Sequence, residues 1–180
     1  DMTVVACQDS KRNELHRTTT NNNYKNNRPK APNDLYDQFK QISVLLPQIG
    51  VTCVQKKGFE ADDVIATIVH SRHTEYDKVI ILSTDKDMLQ LLVYPNVCVY
   101  DFAKKNFRYA EFVTKKYGIT PKEFTTYQSL IGDKCDNIKG VPRVGPKTAI
   151  KIMKDPNHKV WSLYKQTIED NKMLVTLSNN

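Results

Sequence analysis

Eight carboxylates stand in closely spaced groups along the chain: Asp9; Glu60, Asp62 and Asp63; Asp85 and Asp87; Asp133 and Asp136. The densest group lies in the stretch GFEADDVIAT at 58–67, where an apolar run, Val64-Ile65-Ala66, follows the acids at once. At helical spacing Glu60 and Asp63 share a face, with Asp62 beside them. Two carboxylates about 4 Å apart repel by roughly 4 kcal/mol at an effective dielectric near 20. A fold tolerates such a knot if cations neutralise it. Taken alone, the triplet also suits a helix N-terminus, where negative charge complements the helix dipole. The downstream pairs weigh against that plain reading. Asp85 and Asp87 are two apart, so in extended chain both point to one side. Asp133 and Asp136 are again three apart.

The charge balance points the same way. The chain carries 27 Lys and Arg against 20 Asp and Glu, a net +7. Setting the eight clustered acids aside leaves 12 acids against 27 bases, or +15. A focused acidic site on a strongly basic surface is what a metal-dependent enzyme acting on a polyanion needs; the plain alternative is a generic basic protein. Residues 11–32 are polar and carry Lys11, Arg12, Arg17, Lys25, Arg28 and Lys30 around one aromatic, Tyr24. Bases interleaved with an aromatic suit phosphate contacts and stacking on single-stranded nucleic acid, and a solvated loop would read the same. Gly140 to Ala149 reads as a glycine-bracketed hairpin entering a helix at 148–153. Such a hairpin offers backbone N–H groups to phosphate without reading sequence, unless it is an ordinary turn.

Regular elements must position these groups. Residues 3–7 read as a short buried strand with Asp9 just beyond, where a strand's carboxyl end opens into a site; alone, an Asp there is more often a turn former. The spacing of Leu35, Phe39, Ile42, Leu45, Leu46 and Ile49 predicts a helix over 34–49, capped by Asn33 or Asp34 and ended by Gly50. A strand at 51–54 leads into the acidic helix, which runs to about His73 with His70 and His73 as surface residues. Residues 78–83 are the clearest buried strand, followed by a helix at 88–92 and a strand at 96–102. A helix spans 121–130. One amphipathic helix lies in the tail, 161–177, with Trp161 as a packing residue. This β-α-β alternation predicts an α/β fold with a largely parallel sheet and acids at the strands' carboxyl ends. Cys7, Cys53, Cys98 and Cys135 form no CxxC pair, which argues against zinc or a disulfide framework and suits a reducing cytosol. No apolar run approaches membrane-spanning length.

Together the motifs resemble the 5′ nuclease family: the 5′→3′ exonuclease domain of bacterial DNA polymerase I, phage 5′ exonucleases and flap endonucleases. The resemblance rests on Asp9 with Ser10-Lys11, Arg17, Tyr24-Lys25-Asn26-Asn27-Arg28-Pro29 and Glu60-Ala61-Asp62-Asp63. It continues through Ser83-Thr84-Asp85-Lys86-Asp87-Met88, Gly132-Asp133-Lys134-Cys135-Asp136-Asn137 and Gly140 to Ala149. The interval from Tyr24 to Glu60 is most similar to polymerase-type and phage members. The resemblance implies a mostly parallel central sheet flanked by helices, of PIN-like type, with a C-terminal helix-hairpin-helix (helix-three-turn-helix) subdomain. The nuclease core would be 1–115, with 11–33 as its arch or loop region, and the helical subdomain 116–180.

The implied function is a structure-selective 5′ nuclease hydrolysing DNA phosphodiester bonds by a two-metal mechanism in replication and repair. Asp9, Glu60, Asp62, Asp63, Asp85 and Asp87 would build the main metal site, Asp133 and Asp136 the second. Two Mg²⁺ ions, with Mn²⁺ as substitute, fit hard oxygen ligands. One would activate the attacking water and the other stabilise the leaving oxygen. Tyr24, Lys25 and Arg28 would bind the threading strand. Arg17, Lys25 and Arg28 would contact the scissile phosphate, with Lys25 stabilising transition-state charge. Gly140, Val141, Arg143, Gly145, Lys147 and Thr148 would grip duplex backbone, with a K⁺ ion at the hairpin. The implied partners are DNA with 5′ ends, flaps or nicks, and RNA primers, for a monomer with no membrane association in the cytoplasm of a bacterium or a phage-infected host.

There are departures from the family pattern. Its first strand, which bears a further Asp, normally lies some tens of residues before the strand at Val4, so the chain reads as a fragment. Arg143 stands where many members have Gly, Pro146 where Glu is common, and Thr18 to Asn23 is unusually polar. Two alternatives therefore stay open: a non-catalytic DNA-binding remnant of the fold, and a related metal-dependent ribonuclease, which the hairpin at Gly140 to Ala149 disfavours.

Overall fold

Two parallel strand pairs form the scaffold. The computed structural model describes residues 2–29 and 31–178; Asp1 and Lys30 lie outside the described residues. Strand β1 (Val5–Gln8) runs parallel to β2 (Thr52–Gln55), with Val5 opposite Thr52. Strand β3 (Val79–Leu82) runs parallel to β4 (Val97–Asp101), and β4 pairs antiparallel with β5 (Asn106–Arg108). Parallel strands need long crossovers. Helices α1 (His16–Thr20) and α2 (Asn33–Gln48) lie between β1 and β2, and α3 (Ala61–Arg72) between β2 and β3. Among the described residues no hydrogen-bonded ladder joins β1 to β3.

The C-terminal part is mainly helical: α4 (Ala110–Tyr117), α5 (Phe124–Ile131), α6 (Pro146–Met153), α7 (Val160–Leu163) and α8 (Lys165–Val175). A short antiparallel pair, β6 (Gly132–Asp133) with β7 (Ile138–Lys139), separates α5 from α6. One core runs through both parts. It joins Ala66 and Val69 of α3, Ile81 of β3, Val97 and Val99 of β4, Phe124 and Leu130 of α5, Ala149 and Ile152 of α6 and Ile168 of α8. A smaller cluster packs Tyr24, Ile138, Leu174 and Val175 together. The architecture is α/β with a C-terminal helical unit, as the residue pattern predicts.

Several local expectations need correcting. Strand β3 is buried on one face only: Ile81 enters the core, while Ile80 and Leu82 are 48% and 68% exposed. Successive strand residues face opposite ways, so Ile80 and Leu82 share the outer face. Helix α2 forms as the apolar spacing requires, yet it holds no buried residue, and Phe39, Leu45 and Ile49 stay exposed. Neither Asn33 nor Asp34 caps it; Pro32, at φ −56 and ψ 147, occupies the cap position without a side-chain hydrogen bond. The polar stretch 11–32 is not all loop, since it contains a 3-10 turn (Arg12–Glu14) and α1. The segment 88–92 belongs to a 3-10 helix (Asp87–Val93), and the tail holds two helices rather than one. Among the described residues no helix is long and apolar enough to cross a membrane.

Candidate metal centre

The first acidic cluster is made by the way α3 begins. Gly58 turns the chain at φ +86, a value that glycine adopts without strain. Glu60 and Asp63 then form a reciprocal capping box, each side chain accepting the other's backbone N–H. This packs Glu60, Asp62 and Asp63 so that one oxygen of each lies within 4.8 Å of the others. Asp9, exposed at the end of β1, accepts the Ala61 backbone N–H at 2.7 Å through Oδ1. The start of the chain is stitched beneath this turn: Ser10 N–H donates to the Phe59 carbonyl at 3.0 Å and His16 N–H to that of Gly58 at 2.9 Å.

That stitching places Arg17 under the acids. Its Nη1 donates to Glu60 and to Asp63, both at 2.7 Å, and its Nη2 to Asp63 at 2.6 Å and to the Thr176 carbonyl at 3.0 Å. Asp62 lies 3.8 Å from Nη1. The Arg17 side chain is 2% exposed, and among the described residues its Nε is buried without a partner.

The second cluster assembles Asp87, Asp133 and Asp136 from two distant segments, again with oxygens within 4.8 Å of one another. Asp85 accepts the Asp87 backbone N–H at 2.9 Å, turning the chain after β3. Asp133 accepts the Cys135 N–H at 2.9 Å and pairs with Lys86 at 2.7 Å. Asp136 pairs with Arg28 at 2.5 Å. Gln128 donates to Asp87 at 2.5 Å.

Tyr24 and Lys25 bridge the two clusters. The Tyr24 hydroxyl donates to Glu60 at 2.9 Å, with Asp136 at 3.4 Å. The Lys25 ammonium is 2.5 Å from Glu60 and 3.9 Å from Asp136. Lys25 itself sits at φ +54, and its backbone N–H donates to the Asp136 carbonyl at 3.0 Å.

Burial and mutual repulsion set the protonation states. Burial, then the neighbouring Glu60, pushes Asp62 up to about 7. Burial, then Asp85, pushes Asp87 up to about 7. Burial also raises Asp136, against the pull of Lys25 and Arg28. Glu60 goes the other way: burial opposes ionisation, but Lys25 and Arg17 outweigh it and hold the carboxyl below its usual range. The same carboxylates raise Lys25 against its own burial, so it stays charged. A carboxyl raised in the folded state favours the protonated form. Its ionisation costs folding free energy as pH climbs from about 4 to about 7, at about 1.4 kcal/mol per pH unit. Asp62→Asn should therefore gain stability over the parent, without divalent ions, as pH rises from 5 to 8. Paired thermal melts check this, and a constant difference across that range would show Asp62 to be hydrated and normal.

The structure groups the predicted residues differently from the expected division. Asp87 joins Asp133 and Asp136 rather than the acids of α3, because the β6–β7 hairpin folds back against the turn after β3. Asp9 and Asp85 are exposed and lie outside both groups among the described residues. Tyr24, expected to stack on a base, is 3% exposed and packs its ring inside the smaller core. Arg17, expected at a phosphate, has its guanidinium enclosed by carboxylates. Lys25 is partly open, and the Arg28 side chain is 49% exposed, with a free path to solvent beside Asp136. Of the hairpin residues, Arg143, Lys147 and Thr148 are exposed, and a Cβ on Gly145 would meet nothing within 4 Å. Val141 is buried and donates its N–H to Leu130, so that group has no phosphate to meet. Gly140 serves a close approach: a Cβ there would lie 2.3 Å from the Ile131 carbonyl carbon. Gln128 and Lys86, which hold Asp87 and Asp133, were given no role from the sequence. A glutamine between Tyr127 and Leu130 of α5 was the available signal for the first.

Comparisons with known proteins agree with this geometry. Residues 1–118 match the family model described as the 5′-3′ exonuclease N-terminal resolvase-like domain, and 119–180 that of the 5′-3′ exonuclease C-terminal SAM fold. A 5′-3′ exonuclease of Buchnera aphidicola subsp. Schizaphis graminum is 38% identical over 151 residues, covering 84% of this chain and 52% of that protein. A 5′-3′ exonuclease of Aquifex aeolicus is 44% identical over 131 residues, covering 73% of this chain and 45% of its own length. The chain thus spans about half the length of these relatives. In structure it resembles a bacteriophage T5 flap endonuclease solved as a pseudo-enzyme-product complex with DNA and metal ions. That likeness has a TM-score of 0.78 at 21% identity, over 97% of this chain and 74% of the phage protein.

Proposed function

Since the chain belongs to the 5′-3′ exonuclease family, we propose that it is a divalent-metal-dependent 5′ nuclease that cuts DNA at 5′ ends, flaps or nicks. The observation that carries this reading is the pair of three-carboxylate clusters bridged by Tyr24 and Lys25. Each donor set is oxygen only, with no His or Cys, as a hard cation such as Mg²⁺ requires, Mn²⁺ substituting. Asp9 and Asp85 stand at the rim of these sets, where they serve through water. When bound, the ions supply Lewis acidity toward the attacking water and the leaving oxygen.

The chain's own residues do the rest. Lys25 and Arg28 form ion pairs with Glu60 and Asp136 at the boundary between the clusters. A phosphodiester seated there meets two cations. Arg17 holds Glu60 and Asp63 in place from below, so its role is to position them. Exposed Arg143, Lys147 and Thr148 and the open backbone at Gly145 grip duplex phosphates at the start of α6, and a K⁺ ion fits the same turn. That a phage protein of this fold was solved with DNA and metal ions supports DNA as the ligand. We assign the reaction to replication and repair in a bacterial or phage-infected cytoplasm, on DNA and RNA-primed ends, by a monomer. The metal-binding core is 1–115 and the duplex-binding unit 116–180.

Lys25→Ala should slow single-turnover cleavage of a saturating 5′-flap substrate by about 10²–10³-fold, the scale of one lost charge-stabilising donor. Binding should weaken far less, since one phosphate contact is a small part of a many-contact interface. An unchanged rate with a raised dissociation constant would make Lys25 a docking residue only. Cleavage that persists under full chelation would overturn the metal-dependent reading.

A further inference from the structure

Gln128 is a buried polar group for which the reaction above has no use. It is 1% exposed on α5, whose Phe124, Tyr127 and Leu130 fill the core. A buried amide without partners costs folding free energy. Its orientation is determined at both ends. The ionised Asp87 carboxylate, the form that would hold a cation, can only accept, so Nε2 faces it, at 2.5 Å, and Oε1 faces Gln90, whose Nε2 donates at 3.4 Å. Gln90 Nε2 also donates to the Val175 carbonyl at 2.8 Å, and its Oε1 accepts the Leu177 N–H at 3.3 Å.

The segment that fixes Gln90 also touches the other cluster. The Thr176 carbonyl accepts from Arg17 at 3.0 Å, and the Ser178 N–H donates to Asp63 at 2.8 Å. Residues 175 and 177 thus bond toward Asp87, and 176 and 178 toward Asp63. Successive backbone groups of an extended chain point to opposite sides, and Thr176 is extended, at φ −74 and ψ 128.

We infer that Gln128 is a positioning residue for Asp87, and that residues 175–178, acting through Gln90, set the spacing between the two acidic clusters. The inference rests on the reading of those clusters as metal sites. A carboxylate held by an oriented donor presents its remaining lone pairs in one direction, so an ion entering the site does not have to order it.

Mn²⁺ titration of the 180-residue chain, with free ion counted by electron paramagnetic resonance, tests this. Gln128→Leu keeps the side-chain volume and removes the donor. It should weaken one of two Mn²⁺ sites about tenfold, as loss of a partner to a metal ligand does, and leave the other site unchanged. Excess Mn²⁺ should restore its cleavage of a 5′ flap, a rescue that general destabilisation would not show. Gln90→Leu, at a half-buried position, should give a smaller loss at the same site, and it decides the matter if Gln128→Leu does not fold. Folded variants that bind two Mn²⁺ ions as tightly as the parent would overturn the inference while leaving the metal reading intact. A parent chain that binds no Mn²⁺ would remove both.

Discussion

Arg17→Met should lower the melting temperature of the metal-free chain by roughly 10 °C. Arg17 is 2% exposed and is bonded to Glu60 and Asp63, with Asp62 nearby. Replacing it by an uncharged side chain of similar length leaves Asp63 buried without its counter-ion and Glu60 with Lys25 alone. Breaking a buried ion pair in this way costs about 3–5 kcal/mol. In a chain of this size each kcal/mol moves the midpoint by about 2–4 °C. Added Mg²⁺ should return part of the loss, because a cation among Glu60, Asp62 and Asp63 restores the missing charge. Melting curves with and without Mg²⁺ measure both effects. A shift below about 2 °C, or one indifferent to Mg²⁺, would mean that water reaches the carboxylates and that Arg17 holds nothing.

Asp62→Asn and Asp133→Asn should each abolish cleavage of a 5′-flap substrate, with a loss beyond about a hundredfold. Partners that merely orient metal ligands cost 10–100-fold when removed, so a ligand should cost more. The two substitutions strike different clusters, one on α3 and one on β6. Each should retain DNA binding in the absence of Mg²⁺ and strengthen it slightly, since one negative charge facing phosphate is gone. Single-turnover kinetics and filter binding separate the two properties. Loss of binding by more than tenfold in both folded variants would make these acids structural. Full activity in either one would leave a single working cluster.

The acids themselves were legible because their types and short spacings survive without any knowledge of the fold. Their grouping was not. Asp87 meets Asp133 and Asp136 through a contact across some fifty residues of chain, which no local spacing encodes. Arg17 and Tyr24 are buried for a related reason, which their polar stretch of sequence does not reveal. The backbone bonds from Ser10 and His16 to residues 58 and 59 turn that stretch inward. Helix α2 shows another limit. Its apolar periodicity predicts the helix correctly and leaves its exposure open, because periodicity reports which side is apolar and not what covers it. Strand β5 and helix α4 were passed over, since three residues after a Lys-Lys turn carry too short a pattern to register.

The close approach of Gly132 and Gly140 has a consequence for where a strand would be cut. A Cβ on Gly132 would lie 2.3 Å from the Gly140 nitrogen, so the two backbones touch with nothing between them. Asp133 follows directly on one side of that contact, and the turn into α6 on the other. On the proposed function the contact would work as a fixed calliper. One jaw would hold the duplex by its phosphates and the other would carry an acid of the cutting site. The position of the scission would then be counted from the gripped duplex, independent of base sequence and of the length of any loose 5′ strand.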